Sequence, residues 1–265
     1  ARGNGISEVC LPSAGNAGVS ASAYCQAAGI ACHVFLPETI PTPFIDATEE
    51  YGADLRLGGR TIAQAASKMR EEMTKEWFDL STLKEPFRVE GKKTMGYEIA
   101  EQLDWRLPNV VVYPTGGGTG LIGMWKAFNE MIDLGWLDEK ETDRPRMVVV
   151  QSDGCAPIVK AFAEGLLEND LWEKSHTGAL GLNVPSPLGG AWMLKTLRDS
   201  GGIALMVDEA QIMEASHEVN ELSGVDGSCE DGVSWLGFKT LVETGWIKEG
   251  EKVMIPITGA AERYV

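Results

Sequence analysis

The chain has 265 residues, 44% of them hydrophobic, and carries 39 acidic against 23 basic side chains for a formal charge of −16. That length can bury a sizeable core as one large domain or two small ones, and so acidic a surface argues against nucleic acid or anionic membranes as partners. No apolar run approaches the ~20 residues of a membrane span, and neither five scattered cysteines without a C-x-x-C nor three isolated histidines make a metal site. The cysteines (Cys10, Cys25, Cys32, Cys155, Cys229) are expected as free, mostly buried thiols in a reduced, cytoplasmic setting.

In chain order, residues 7–11 read as a short strand. The turn Pro12-Ser13-Ala14-Gly15-Asn16-Ala17-Gly18 leads to a helix over 19–28, with Gly29 as its C′ glycine. A buried strand is expected at 30–36, a helix at 42–51, a strand at 55–57 and a helix from 61 to 77. Residues 79–85 read as irregular, 87–89 as extended, and 91–103 as a helix with Met95, Ile99 and Leu103 along its apolar stripe.

The stretch VVVYPTGGGTGLIG, residues 110–123, follows. A strand that turns through glycines into a helix brings free backbone N–H groups and the positive end of a helix dipole to one point. This loop is read as a phosphate cradle, against the plainer possibility of a tight βα turn that binds nothing. Gly118, Gly120 and Gly123 also satisfy G-x-G-x-x-G, but Asp153 comes later than the carboxylate that a dinucleotide site wants. No G-K-[ST] follows, which excludes a Walker loop.

A charged connection is expected over 138–146 and a buried strand over 147–151. Then come a helix at 156–165, a long loop at 175–187, helices at 192–198, 209–222 and 232–244, and strands at 203–207 and 253–257. Strands alternate with helices, so the fold class is α/β with mostly parallel sheets. Ligands in such sheets collect at the carboxyl ends of strands. The three turns around Ser13, Thr115 and Thr258 all follow strand ends.

These turns resemble the pyridoxal-phosphate enzymes of the tryptophan-synthase-β type, fold type II, and most closely the threonine-synthase group. The carrying stretches are LPSAGNAGVSASAY (11–24), EGKKTMGYEIAEQL (90–103), VVVYPTGGGTGLIGMWKAF (110–128), RPRMVVVQSDGCAPIVKAF (144–162) and IPITG (255–259). They occur in family order along essentially the whole chain. The resemblance implies two three-layer α/β/α domains with the cofactor in the cleft between them. Residues 15–103 would form a smaller mobile domain, and 1–14 with 104–265 a larger cofactor-binding one.

It further implies pyridoxal 5′-phosphate as cofactor and an amino acid as small-molecule substrate, in a homodimer. Thr115, Gly116, Gly117, Gly118 and Thr119 would hold the phosphate. Asn16 would contact the ring's 3′-oxygen, although an N-cap role is the alternative. Thr258 would face the pyridine nitrogen, where a hydroxyl need not keep that nitrogen protonated; a turn residue is the alternative. Ser13, Ala14 and Gly15 would grip the substrate carboxylate. Arg88 and Lys92, with Lys93, would meet a substrate phosphate, or form only a surface basic patch. The Schiff-base lysine is expected just before Ala1, because Ala1-Arg2-Gly3 looks like the piece that follows it.

The expected activity is threonine synthase, converting O-phospho-L-homoserine and water to L-threonine and phosphate. Two departures weigh against phosphohomoserine: no Asn-Ser pair near 81–84, and a tail at 259–263 unlike T-G-S-G-L-K. The nearest rival is a serine/threonine ammonia-lyase on the same scaffold. A nicotinamide-dependent oxidoreductase and a catalytically silent binding domain are the rivals from other classes.

Overall fold

The computed structural model describes residues 1–137 and 144–259, apart from the side chain of Arg2. The expected connection over 138–143 and the tail from residue 260 onward lie outside the described residues. Two compact units divide the chain, residues 1–85 and 86–259.

The first unit holds a four-stranded parallel sheet in the order β3-β2-β1-β4, built from β1 (Glu8–Pro12), β2 (Ala31–Leu36), β3 (Asp54–Leu57) and β4 (Trp77–Asp79). Alternate residues of these strands bury opposite faces, as the period of a strand requires. Val9, Leu11, Val34 and Leu36 pack with Cys25 of α1 (Asn16–Ala28) and Ile45 of α2 (Thr42–Glu50). Cys10, Phe35 and Trp77 pack with Ala65 and Met69 of α3 (Ile62–Glu72). The layers are therefore α/β/α. Gly29 ends α1 in the left-handed conformation, with its N–H bonded to the carbonyls of Cys25 and Gln26.

The expected helix to residue 77 stops at Glu72, and β4 follows. Its three residues are fixed by tertiary contact: Trp77 stacks on His33 of β2 at 3.7 Å between centroids.

The second unit repeats the architecture with a parallel sheet in the order β7-β6-β5-β8. Its strands are β5 (Val110–Pro114), β6 (Arg146–Ser152), β7 (Ile203–Val207) and β8 (Val253–Met254). Val111, Tyr113, Met147 and Val149 face α4 (Phe87–Gln102), α5 (Thr119–Asp133), α6 (Pro157–Ala163) and α7 (Gly190–Asp199). Val110, Val112, Val148 and Val150 face α8 (Ile212–Ser223) and α9 (Cys229–Glu243). The near-continuous valines of β5 and β6 are what a sheet buried on both faces selects.

Residues 87–89, expected as extended, are the first turn of α4: Pro86 stands at its N-cap and Val89 is buried. The whole of α4 groups with residues 86–259, whereas the sequence reading carried the smaller domain on to residue 103. Likewise β1, expected with the larger domain, is an interior strand of the first sheet. The last strand ends at Met254, four residues before Thr258, not directly at it. No described helix is long and apolar enough to cross a membrane.

Candidate functional site

The glycine loop leaves β5 and enters α5. At its start Thr115 is fully buried and wholly engaged with the scaffold. Its N–H donates to the Val150 carbonyl (3.0 Å), its hydroxyl to the Tyr113 carbonyl (2.9 Å), and its own carbonyl accepts from Gln151 Nε2 (2.9 Å). Beyond it the pattern changes. Among the described residues, no backbone or side-chain acceptor takes up the amides of residues 116–121. The first helical bond of α5 is Ile122 N–H to the Gly118 carbonyl, and α5 has no side-chain cap. Six consecutive donors at a helix N-terminus, with Gly117 and Thr119 half-buried at the rim, suit an anion.

The glycines are dictated by what stands behind the loop. Gly118 has φ +85°, and a Cβ there would lie 2.6 Å from Met193 Cγ. A Cβ on Gly116 would lie 2.5 Å from the Gly181 carbonyl oxygen, and one on Gly120 2.5 Å from Tyr113 Cζ. The 180s loop, α7 and Tyr113 thus fill the space behind the loop.

Two adjacent acids in the first turn of α9 tie this loop to the turn around Thr258. Glu230 is 5% exposed; its Oε1 accepts from Gly181 N (2.8 Å), the residue that backs Gly116, while its Oε2 has no partner among the described residues. Asp231 is 2% exposed and accepts from Thr258 N (2.8 Å) and Thr258 Oγ1 (3.3 Å). Its other oxygen accepts from Ser228 N (2.7 Å) and Ser228 Oγ (3.2 Å), which completes the capping box of α9. Burial pushes the Asp231 carboxyl above its usual range, and these four donors pull it back. Tyr113 is pushed up to about 12, by burial first and then by the charge of Asp231. Tyr113, Asp231 and Thr258 are therefore one neighbourhood, with Gly120 packed on its tyrosine end.

Arg88 and Lys92 lie on α4, which runs parallel to α5 at close range. A Cβ on Gly123 would lie 2.7 Å from Lys92 Cβ, and one on Gly96 2.6 Å from Ala127 Cβ. One helical turn before Lys92, Arg88 falls level with the first turn of α5. Desolvation, then the charge of Arg88, lowers the Lys92 ammonium below the usual lysine range. Lys92 is exposed as a residue, so this desolvation is that of a crowded surface rather than of a core. Lys93 is committed elsewhere: it pairs with Glu90 (2.5 Å) and Glu130 (2.7 Å), and Lys126 pairs with the same two acids.

Ser13, Ala14, Gly15 and Asn16 form the β1–α1 turn of the first unit. Ser13 is buried, and its hydroxyl is bound within its own turn. It donates to the Gly15 carbonyl (3.1 Å) and accepts from the amides of Gly15 (3.1 Å) and Gly18 (2.9 Å). Gly15, with φ 139° and the Phe44 ring 3.1 Å from a would-be Cβ, is the N-cap of α1, so Asn16 is exposed at the first helical position and is not the cap.

Sequence reasoning missed Gln151, Glu230 and Asp231. Gln151 is fully buried at the end of β6; besides holding Thr115 it accepts from the amides of Ile158 (2.9 Å) and Val159 (3.2 Å) at the start of α6. The spacing Ser228-x-x-Asp231 before an apolar run was the available signal for the start of α9.

Comparison with known proteins adds the following. The family model described as pyridoxal-phosphate dependent enzyme matches residues 1–259. The chain is 29% identical over 256 residues to the threonine synthase of Methanocaldococcus jannaschii and 30% identical over 256 residues to that of Methanosarcina acetivorans, covering 96% of this chain each time. It spans 62% of the length of either relative. Among solved structures, the processed form of threonine deaminase isoform 2 from Solanum lycopersicum superposes with a TM-score of 0.80 at 22% identity, covering 98% of this chain and 71% of that one. The L-serine ammonia-lyase of Rhizomucor miehei gives 0.79 at 17%, covering 96% and 78%. These two likenesses speak to the fold, which is that of fold type II.

The residues of the second unit suit the cofactor that the family description names. Six amides without an acceptor among the described residues suit a phosphate, a hydroxyl backed by a carboxylate suits a ring nitrogen, and a buried Glu230 oxygen, also without a partner among the described residues, lies on the same helical turn.

Proposed function

The chain belongs to the family of pyridoxal-phosphate dependent enzymes, and from that premise we propose that it acts as a lyase of the threonine-synthase type. The substrate would be O-phospho-L-homoserine, which with water gives L-threonine and phosphate. One observation supports this reading of the cofactor site: among the described residues, the amides of residues 116–121 at the N-terminus of α5 have no acceptor. When bound, the pyridoxal ring supplies an electron sink that stabilises negative charge on the substrate's carbon skeleton.

The chain's own residues supply binding and orientation. Gly116, Gly117, Gly118 and Thr119 hold the cofactor phosphate through backbone N–H groups aligned with the helix dipole. Thr258 meets the ring nitrogen, and Asn16 donates to the ring's 3′-oxygen. Arg88 and Lys92 give a phosphorylated substrate two cations on a helix that starts beside α5. Ser13 holds its turn in shape by occupying the Gly15 amide and carbonyl, so that the Ala14 N–H, rather than the Ser13 hydroxyl or the Gly15 amide, is offered to a substrate carboxylate.

The curated relatives named threonine synthase support this substrate at modest identity. The alternative, a serine/threonine ammonia-lyase, is favoured by the names of the structural neighbours. Incubating the full-length protein and cofactor with O-phospho-L-homoserine, L-threonine and L-serine separates the two. Phosphate release with threonine formation supports the first. A keto acid and ammonia from the hydroxy amino acids, with no phosphate release, rejects it.

A further inference from the structure

The carboxylate behind Thr258 changes what that hydroxyl can do. Asp231 belongs to the first turn of α9, 2% exposed, and Thr258 reaches it from 27 positions further along the chain with both its N–H and its hydroxyl. Among the described residues, the four hydrogen bonds to Asp231 all come from donors: Thr258 N, Thr258 Oγ1, Ser228 N and Ser228 Oγ. A carboxylate is acceptor-only, so the Thr258 hydroxyl hydrogen is directed at Asp231 and the oxygen is left with lone pairs. The titratable groups near Asp231 include Tyr113, from β5, and Cys229 and Glu230, its neighbours on α9. None of these three is a cation that would disperse its charge.

We infer that Asp231 fixes the polarity of the Thr258 hydroxyl, so that the oxygen accepts a hydrogen bond from a protonated ring nitrogen instead of donating one to a neutral ring. This rests on the placement of the cofactor proposed above. It departs from the sequence expectation that a hydroxyl at this position need not keep the nitrogen protonated. The nitrogen's proton is the one it exchanges with solvent, and Thr258 keeps its own. The buried negative charge of Asp231, one hydroxyl away, stabilises the resulting cation. Asp231 is thus a positioning residue, acting on the ring only through Thr258.

The test uses pyridoxine 5′-phosphate labelled with nitrogen-15 in the ring, which lacks the aldehyde and so needs no lysine. Its ring nitrogen is observed by NMR when bound to the full-length protein. At neutral pH the wild type is expected to give the upfield signal of a protonated pyridine nitrogen. T258V removes the hydroxyl but keeps the backbone contact to Asp231, and is expected to shift the signal downfield to the unprotonated position. D231N is expected to do the same; should its altered capping box prevent folding, T258V decides alone. An unprotonated nitrogen in the wild type, or a protonated one that T258V leaves in place, overturns the relay while leaving the cofactor site standing. Failure of the ligand to bind at all overturns the site and the relay together.

Discussion

Tyr113 and Gly120 are fitted to one another: the phenol stands where any side chain at Gly120 would begin, with its Cζ 2.5 Å from that point and its oxygen nearer still. Tyr113 is 9% exposed on β5 and cannot swing away without opening the core. Gly120→Ala is therefore expected to cost about 1–3 kcal/mol through overpacking. Because the strain falls on the first turn of α5, the same change is expected to weaken pyridoxal phosphate binding. Thermal unfolding and a cofactor titration check both; wild-type values for the pair would show that the loop is looser than described.

Gln151 is the residue most easily overlooked. It satisfies the Thr115 carbonyl and two amides of α6 with one side chain. Gln151→Leu keeps the volume but strands three buried backbone groups, a loss on the order of 3 kcal/mol. Urea denaturation should show a lower midpoint with an unchanged slope. A stability equal to wild type would mean that these groups find other partners.

Lys92 and Lys93 are neighbours with opposite expectations. Lys93 is held by Glu90 and Glu130, so Lys93→Met should change stability by at most about 1 kcal/mol and leave the KM for a phosphorylated substrate unchanged. Lys92→Met should raise that KM by about tenfold or more, the loss of one charge-assisted contact. The pH dependence follows from the sign of the shift. The Lys92 ammonium lies below the usual lysine range, so phosphate binding should fall as pH rises through that lowered value. Lys92→Arg, which keeps its charge, should extend binding to higher pH. The same lowering means that the charged Lys92 costs the fold stability, a cost that fades as pH rises from the lowered value toward the ordinary one. Steady-state kinetics across pH would contradict this if the two methionine variants behaved alike.

The thiols offer a check on the cores. Cys10 and Cys155 are fully buried; burial, helped at Cys10 by Asp79, pushes their pKa up to about 12 and about 11. Both should resist an aromatic disulfide reagent in the native protein and react on unfolding. Rapid native labelling of either, located by mass spectrometry, would refute the packing around it.

Much of this was legible beforehand because it is local. The glycine run announces its own loop, Gly29 ends its own helix, and the valines of β5 and β6 declare burial on both faces. What escaped depends on partners far along the chain. Gln151 meets Thr115 across 36 positions, Asp231 meets Thr258 across 27, and Glu230 meets Gly181 across 49. No periodicity encodes such pairs. The start of α4 was misread for a related reason: Phe87 and Val89 have the character of a strand, but Pro86 sets a helix start and Val89 is buried on it. The basic residues Arg88, Lys92 and Lys93 looked like one patch. Only the packing of α4 on α5 sets Lys92 against Gly123 of α5, while Lys93 is already neutralised by Glu90 and Glu130.

In the proposed site the amides following Thr115 hold the phosphate of the cofactor. Backbone amide NMR during titration with pyridoxine 5′-phosphate, and with unphosphorylated pyridoxine as the control, tests it directly. Saturable downfield proton shifts are expected at Gly116, Gly117, Gly118 and Thr119 with the phosphate ester and not with the alcohol. Shifts that bypass these four amides, or that both compounds cause equally, would contradict it.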